Sequence, residues 1–322
     1  MFHALPAMLE TIHHHGIDPN PRRVLVIVLC YNGIELTLCC LESLRWQTYG
    51  AVDVLVVDNS STDNTPQIVR ERFPEVTLVE TGANLGFAAG NNVGLRYACA
   101  KGYDYVLLLN NDTEVAQDLV AELVAACEAD ARIGVAGPRI YYHDRPTTIW
   151  SAGGTIDWSQ GTTAMVGLNH PDGPSFDHPA HVDFVTGCAL FVRRDVLEQV
   201  GLIDERFGMY FEEVEWCVRI GRAGWRIMYI PEGKLWHKIQ PAEQSLSLRV
   251  LYYMTRNRLL FLRLTRAPAS AWLHASILQD LRTWCSWGVR PRWRDRGPQR
   301  AALLLAWRDF LHNRFGMVAR EL

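Results

Sequence analysis

No apolar run in the 322 residues approaches the ~18 needed to cross a bilayer, so a membrane-spanning helix is not expected. The N-terminus lacks the apolar centre of a secretory signal. Eight cysteines are present (Cys30, Cys39, Cys40, Cys99, Cys127, Cys188, Cys217 and Cys285), and none stands in a C-x-x-C pair. That spacing argues against a zinc or dithiol centre. Cys30 inside VIVLCY and Cys188 inside TGCALF read as small buried hydrophobes in a reducing compartment. No G-x-G-x-x-G follows the first apolar run, which disfavours a dinucleotide oxidoreductase. Leu29-Cys30-Tyr31-Asn32-Gly33 also lacks the glycine- and lysine-rich phosphate loop of a nucleotidyltransferase. Net charge is small, −3 overall, but unevenly spread. From Arg249 to Leu322 there are 14 Arg, no Lys and 4 acidic residues, giving +10 and leaving −13 for the rest. A segment so charged is expected to meet something anionic, phosphate groups or a membrane surface. No nucleic-acid partner is expected.

The chain divides into a flexible leader (1–21), an α/β domain (22–240) and a basic, amphipathic helical tail (241–322). The leader carries His13, His14 and His15, read as a polar run without function, and ends at Asp18-Pro19-Asn20-Pro21. Val24–Cys30 is continuously apolar, as a strand buried on both faces would be. Further strands are predicted at Val52–Val57, Val76–Glu80 and Tyr105–Leu109, with a fifth from Val135. Helices are predicted at Ile34–Gln47, from Asp63 to Phe73, up to Ala100, and at Ala116–Ala129. This alternation implies a mostly parallel sheet with helices on both faces. Ligands then bind beyond the carboxyl ends of the strands.

Four strand exits carry polar, turn-forming residues: Tyr31-Asn32, Asp58-Asn59-Ser60-Ser61, Asn84-Leu85-Gly86 and Asn110-Asn111-Asp112. Together they describe a polar cleft along one sheet edge. From Ile140 to Asp183 Gly, Pro, His and Thr dominate, which reads as a long irregular insertion with short strands, placed over the cleft as an acceptor-side wall. Helical patterning returns at Asp195–Val200 and Glu213–Ala223. A strand Arg226–Ile230 and a turn Pro231-Glu232-Gly233 then lead to Trp236-His237.

Asp112 directly follows a buried strand. An acid there holds a divalent cation with few protein ligands when a diphosphate supplies the rest; equally, it caps the next helix. Asp58 reads either as a turn-forming Asx residue or as an acceptor for a ligand N–H. The acids of Met209-Tyr210-Phe211-Glu212-Glu213-Val214-Glu215-Trp216-Cys217-Val218-Arg219 complement a helix dipole whatever else they do.

These strings resemble glycosyltransferase family 2, and within it the rhamnosyltransferase-like branch, over roughly Arg23 to His237. The resemblance implies a GT-A nucleotide-diphospho-sugar transferase fold and an inverting transfer from a dTDP- or UDP-sugar to a hydroxyl. It implies that Asp58 accepts the imide N–H of uracil or thymine. The donor would be held by Tyr31, Asn32, Asn59, Asn110, Asn111 and the string Asn84-Leu85-Gly86-Phe87-Ala88-Ala89-Gly90-Asn91. Gly86 and Gly90 are expected to let the backbone approach a ligand, and the following helix start to favour anions.

The family closes its fourth strand with two acids one residue apart; here Asn110 replaces the first and Asp112 keeps the second. With His237 it would hold Mn²⁺ or Mg²⁺. Phe-Glu-Asp-x-Asp-x-Cys-x-Arg matches Phe211–Arg219 with Glu in place of both Asp. The general base maps to Glu213, but the longer side chain leaves Glu212 open. Thr186, Gly187 and Trp236 are assigned to the acceptor, a glycan or polyprenyl-linked molecule.

Arg249, Arg256 and Arg263 recur on one helical stripe among Trp272, Trp284, Trp287, Trp293 and Trp307. Two readings stand for the tail: an interfacial helix that keeps a cytoplasmic enzyme on the inner membrane face, or helices that pack on the catalytic domain or form a homodimer. Arg256-Asn257-Arg258 is expected within reach of the donor diphosphate. A non-catalytic nucleotide-sugar-binding scaffold is the alternative from another class.

Overall fold

A computed structural model describes residues 21–238 and 247–318. The expected leader, except Pro21, and the junction between domain and tail lie outside the described residues. The elements are β1 (Val24–Cys30), α1 (Ile34–Leu44), β2 (Val52–Asp58), α2 (Thr65–Arg72), β3 (Thr77–Glu80), α3 (Gly86–Lys101), β4 (Tyr105–Asn110), β5 (Thr113–Val115) and α4 (Leu119–Ala129). Then come β6 (Ile133–Tyr142), β7 (Ile149–Ser151), β8 (Gly154–Asp157), β9 (Thr162–Met165), β10 (Ala180–His181), β11 (Ala189–Arg193), α5 (Arg194–Val200), α6 (Glu212–Arg222) and β12 (Arg226–His237). Helices α7 (Leu248–Leu264), α8 (Ala269–Leu273), α9 (Arg282–Val289) and α10 (Gly297–Leu311) follow, with a π-helical stretch His274–Leu281 joining α8 to α9.

One mixed sheet runs in the order β10-β12-β6-β11-β4-β1-β2-β3. Its β4-β1-β2-β3 part is parallel, and β1 is the continuously apolar strand, buried between helices on both faces. Register fixes the cleft: Cys30 pairs with Asp58, Asp58 with Glu80 and Leu29 with Asn110. The predicted polar exits of β1, β2 and β4 therefore end level, on one edge, and that of β3 follows from the same row.

Three differences from the sequence reading have plain causes. The helix expected from Asp63 begins at Thr65, because the Asp63 carboxylate accepts the Gly33 and Thr65 N–H groups instead of continuing the coil. Pro231-Glu232-Gly233 is not a turn that ends a strand. It is a bulge inside β12, which pairs with β6 on either side, Ile230 with Pro138 and Lys234 with Arg139. The 140–183 insertion is ordered around Arg139, which is buried. Its guanidinium donates to Asp172, Asp177, Tyr229 Oη and the Phe176 carbonyl.

The tail packs on the catalytic domain through α7. Phe261 meets Phe211 and Trp158, with ring centroids 5.6 and 5.9 Å apart. Gly161, at φ +66°, leaves room for Leu262. Arg256 and Arg258 are buried, not displayed. Arg256 donates to the Gly316 and Phe207 carbonyls, and Arg258 pairs with Asp280 at 2.6 Å. Both are spent inside the fold and do not reach toward a diphosphate, contrary to expectation. Arg249 instead lines the cleft, and no ion pair engages it among the described residues. No helix among the described residues is long and apolar enough to cross a membrane.

Candidate active site

Two hollows meet over the sheet edge. One, of about 350 Å³, is lined by Cys30, Tyr31, Asn59, Asn84, Gly86, Asn111 and, from the tail, Ser247, Arg249 and Val250. The other, of about 280 Å³, is lined by Trp150, Met165, Thr186, Gly187, Cys188, Glu212, Glu213 and His237. Phe87, Asn110, Asp112, Met209 and Tyr210 belong to both. Asp112 therefore stands at the junction.

Local folding explains the first hollow. Asn32, at φ +59°, accepts the Thr62 N–H at 2.7 Å, and the Asn32 N–H donates to Ser61 Oγ. These bonds lock the β1 and β2 exits together. Asp58 is buried at the end of β2; its carboxylate accepts the Ser61 N–H at 3.0 Å and lies 3.5 Å from Cys30 Sγ. Asp58 thus sits behind the lining, among groups it organises. Asn59 donates to the Gly86 carbonyl and accepts the Leu85 N–H, tying β2 to the start of α3. Asn111 donates to Thr37 Oγ1 at 2.9 Å.

The start of α3 differs from expectation. Its Phe87 and Ala88 N–H groups both donate to the Gly208 carbonyl, at 2.8 and 3.0 Å. Two of the orphan donors that would attract a phosphate are therefore already satisfied. Gly86, at φ +80°, is needed because a Cβ would fall 2.4 Å from Met317 Sδ and 2.9 Å from the Gly208 oxygen. A Cβ at Gly90 would meet Leu29 at 2.7 Å, so this glycine serves packing of helix on sheet. Asn91 is buried and donates to the Phe87 carbonyl of its own helix; it does not line the cleft.

The junction is built by strand pairing. β5 runs antiparallel to β12, setting His237 opposite Thr113, and the Lys238 N–H donates to the Asp112 carbonyl. His237 Nε2 consequently lies 3.0 Å from Asp112 Oδ1. Asp112 does not cap a helix, because β5 follows it directly. His237 is buried, its Nδ1 has no partner, and the Trp150 ring packs edge-on at 4.6 Å. One carboxylate and one imidazole side by side fit a divalent cation that takes its other ligands from phosphate and water. No group of three or more ligand side chains occurs among the described residues.

In the second hollow, Glu212 and Glu213 open α6. Each has a buried Oε2 without a partner. Burial pushes both carboxyls above the usual range, and Glu213 pushes Glu212 further, well above it. Glu213 is the more accessible, and backbone N–H groups at Gly187 and Val214 hold it partly down. Gly187 has no room for a Cβ, which would fall 2.7 Å from the Phe87 ring. Arg219, on the same helix, ties α6 to the Val200 and Leu202 carbonyls. Trp236 does not face this hollow. Alternation along β12 turns it to the other face, where it stacks on Tyr141 at 6.0 Å. Trp150 and Met165, from β7 and β9, provide the wall instead; the insertion's irregular texture gave no period from which to single them out.

The family model Glycosyl transferase family 2 matches residues 25–201. The chain is 32% identical over 218 residues to an N-acetylglucosaminyl-diphospho-decaprenol L-rhamnosyltransferase of Mycobacterium tuberculosis, covering 61% of this chain and 70% of that one. It is 26% identical over 226 residues to the dTDP-rhamnosyl transferase RfbF of Shigella flexneri, covering 67% and 72%. Among solved structures, a mannosyltransferase of Pyrobaculum calidifontis superposes with a TM-score of 0.57 at 20% identity, covering 92% of this chain and 88% of that one. The fold is GT-A, and the chain belongs to glycosyltransferase family 2, on its rhamnosyltransferase-like branch: it is a glycosyltransferase.

Proposed function

We propose that this glycosyltransferase moves rhamnose or a related hexose from a dTDP- or UDP-sugar to a hydroxyl of a glycan or lipid-linked acceptor, with inversion. The observation that carries this reading is the meeting of two hollows at Asp112, with an unpartnered carboxylate in one and polar strand ends in the other. A relative named for dTDP-rhamnose and another named for a decaprenol-linked acceptor favour the same donor and acceptor classes.

In the proposed reaction the acceptor oxygen attacks the anomeric carbon as its bond to the diphosphate breaks. The electron pair leaves with the diphosphate, and the hydroxyl proton passes to Glu213. Glu213 is favoured over Glu212 because it is more accessible and, with Gly187, lines the acceptor hollow. Glu212, dry and pushed further up, keeps its proton and so avoids a second buried charge. Asp112 and His237 would hold a divalent cation, which supplies positive charge for the departing diphosphate. The mannosyltransferase named for GDP-Man and Mn²⁺ supports that assignment at the level of fold. Arg249 would add a second positive group at the rim of the donor hollow. Asp58, directly behind Cys30 and Asn59 of the lining, would meet the base only where the base seats between those residues, with the lone pairs that Ser61 and Cys30 leave free.

The tail has a second proposed role. Leu273, Ile277, Leu278 and Leu281 form an exposed apolar stripe along the α8 to α9 stretch. With the positive charge of the tail, that stripe suits the inner face of an anionic membrane, where a lipid-linked acceptor resides.

Nucleoside diphosphate release from a panel of nucleotide sugars with Mn²⁺ tests the reading. Glu213→Gln is expected to lower kcat by about 10²–10⁴-fold, the usual contribution of a positioned base. Full activity in that variant, or a purine-nucleotide preference, would overturn the assignments of Glu213 and Asp58.

A further inference from the structure

The loop that delivers Glu212 and Glu213 is bonded at every carbonyl. The Arg206 oxygen accepts the Gly316 N–H at 2.7 Å, and Gly208 accepts the α3 donors. The remaining three, Phe207, Met209 and Tyr210, lie 2.8, 2.7 and 2.9 Å from one atom, Asn257 Nδ2. An amide nitrogen has two hydrogens, so at least one is shared. Arg256 Nη2 reinforces the Phe207 oxygen at 2.9 Å, and Arg256 Nε donates to Asn257 Oδ1, fixing which way the amide faces. Asn257 is wholly buried and Arg256 1% exposed.

What this network holds is strained. Tyr210 and Phe211 are consecutive non-glycine residues at φ +68° and +73°. Left-handed aromatic residues are disfavoured and persist only where the surroundings over-determine them. Glu212 begins α6 at the next position, so the strained pair sets where both carboxylates point. The loop and α7 both lie beyond the 25–201 match to the family model.

We infer that Asn257, backed by Arg256, is a positioning residue for the transfer reaction: α7 clamps the Phe207, Met209 and Tyr210 carbonyls so that the base on α6 meets the acceptor hydroxyl. This inference rests on the proposed role of Glu213. It makes the tail part of the catalytic apparatus, independently of any membrane contact.

The test is Asn257→Ala, assayed by nucleoside diphosphate release from the nucleotide sugar that the wild type turns over, with dTDP-rhamnose as first probe. A base displaced by an ångström is expected to cost about 100-fold in kcat, with donor KM held within about threefold, because the donor hollow is built largely by other loops. Amide hydrogen exchange of residues 206–212 should rise in parallel. Should Asn257→Ala fail to fold, Arg256→Lys, which keeps the charge and a donor, carries the test with a fall in kcat of about tenfold and the same unchanged KM. A kcat per folded enzyme within about threefold of wild type, so that any loss of rate merely tracks the loss of folded protein, or a donor KM raised as far as kcat falls, would overturn the inference. Exchange separates this outcome from failure of the functional reading. If the wild type turned over no nucleotide sugar, unchanged exchange at 206–212 in Asn257→Ala would still refute the clamp, and faster exchange would uphold it.

Discussion

Two adjacent glutamates at the head of α6 share a dry environment yet differ in access, and their pH behaviour should follow. Both carboxyls are raised, chiefly by burial. The acidic limb of the kcat/KM profile should therefore lie above the ~4.3 of a free glutamate, where an unperturbed base would place it. A stability effect accompanies this. A carboxyl whose folded value is raised stabilises the fold while protonated, and that stability is lost as pH climbs from the unfolded value through the folded one. Glu212→Gln should thus raise Tm at pH 7 and change little near pH 4, read by thermal melts at the two values. Equal shifts at both would contradict the burial argument. Asp112→Asn and His237→Ala should each remove the activation by Mn²⁺, at a cost of about 10²-fold or more if the ion stabilises the leaving group by several kcal/mol. A metal titration of initial rates reads this directly. At this scale Glu212, Glu213, Asp112 and His237 were legible because motif strings carry them. Trp150 was not, since a lone tryptophan in an irregular insertion has no pattern to mark it, and Arg249 stood out only as one of three heptad-spaced arginines, which does not say that it lines the cleft.

Elements repeat the contrast. β1 was readable to the residue because a strand buried on both faces has no alternation to confuse. α6 was readable from its acids and apolar spacing. The start of α3 misled, because a glycine-rich helix N-terminus looks the same in sequence whether it faces an anion or a carbonyl. The Gly208 oxygen that takes its donors lies more than a hundred residues away in the chain. Arg256 misled for a related reason: a heptad of arginines suggests an exposed stripe, but α7 turns Arg256 inward, where Tyr252, Tyr253 and backbone oxygens surround it. The outward stripe is the apolar one on α8 and the π-helical stretch. Ile277→Asp with Leu281→Asp is expected to abolish co-sedimentation with vesicles containing anionic phospholipid, while turnover on a soluble acceptor stays within about twofold, as exposed surface changes usually allow. Retained vesicle binding would remove the membrane role. A wild type that sediments as a dimer, and as a monomer in this variant, would assign the stripe to a second copy.

For the whole molecule, what matters is convergence. Residues 31, 59, 84, 111 and 112 arrive from four strand exits, Trp150 from the insertion, Glu213 from the head of α6, His237 from the end of β12, and Arg249 from the tail. The sheet edge was foreseeable from alternating strands and helices; the roofing of that edge by the tail was not, because it depends on long-range bonds such as Gly316 to Arg206. If the two hollows serve one reaction, a single donor must span them. The most direct check is a structure of the protein with dTDP and Mn²⁺ bound. The account predicts the base beside Asp58 and Tyr31, the diphosphate at Asp112 and His237, and the vacated sugar position opening toward Glu213. A diphosphate bound away from Asp112, or a nucleotide seated where Glu213 could not reach the transferred carbon, would contradict it.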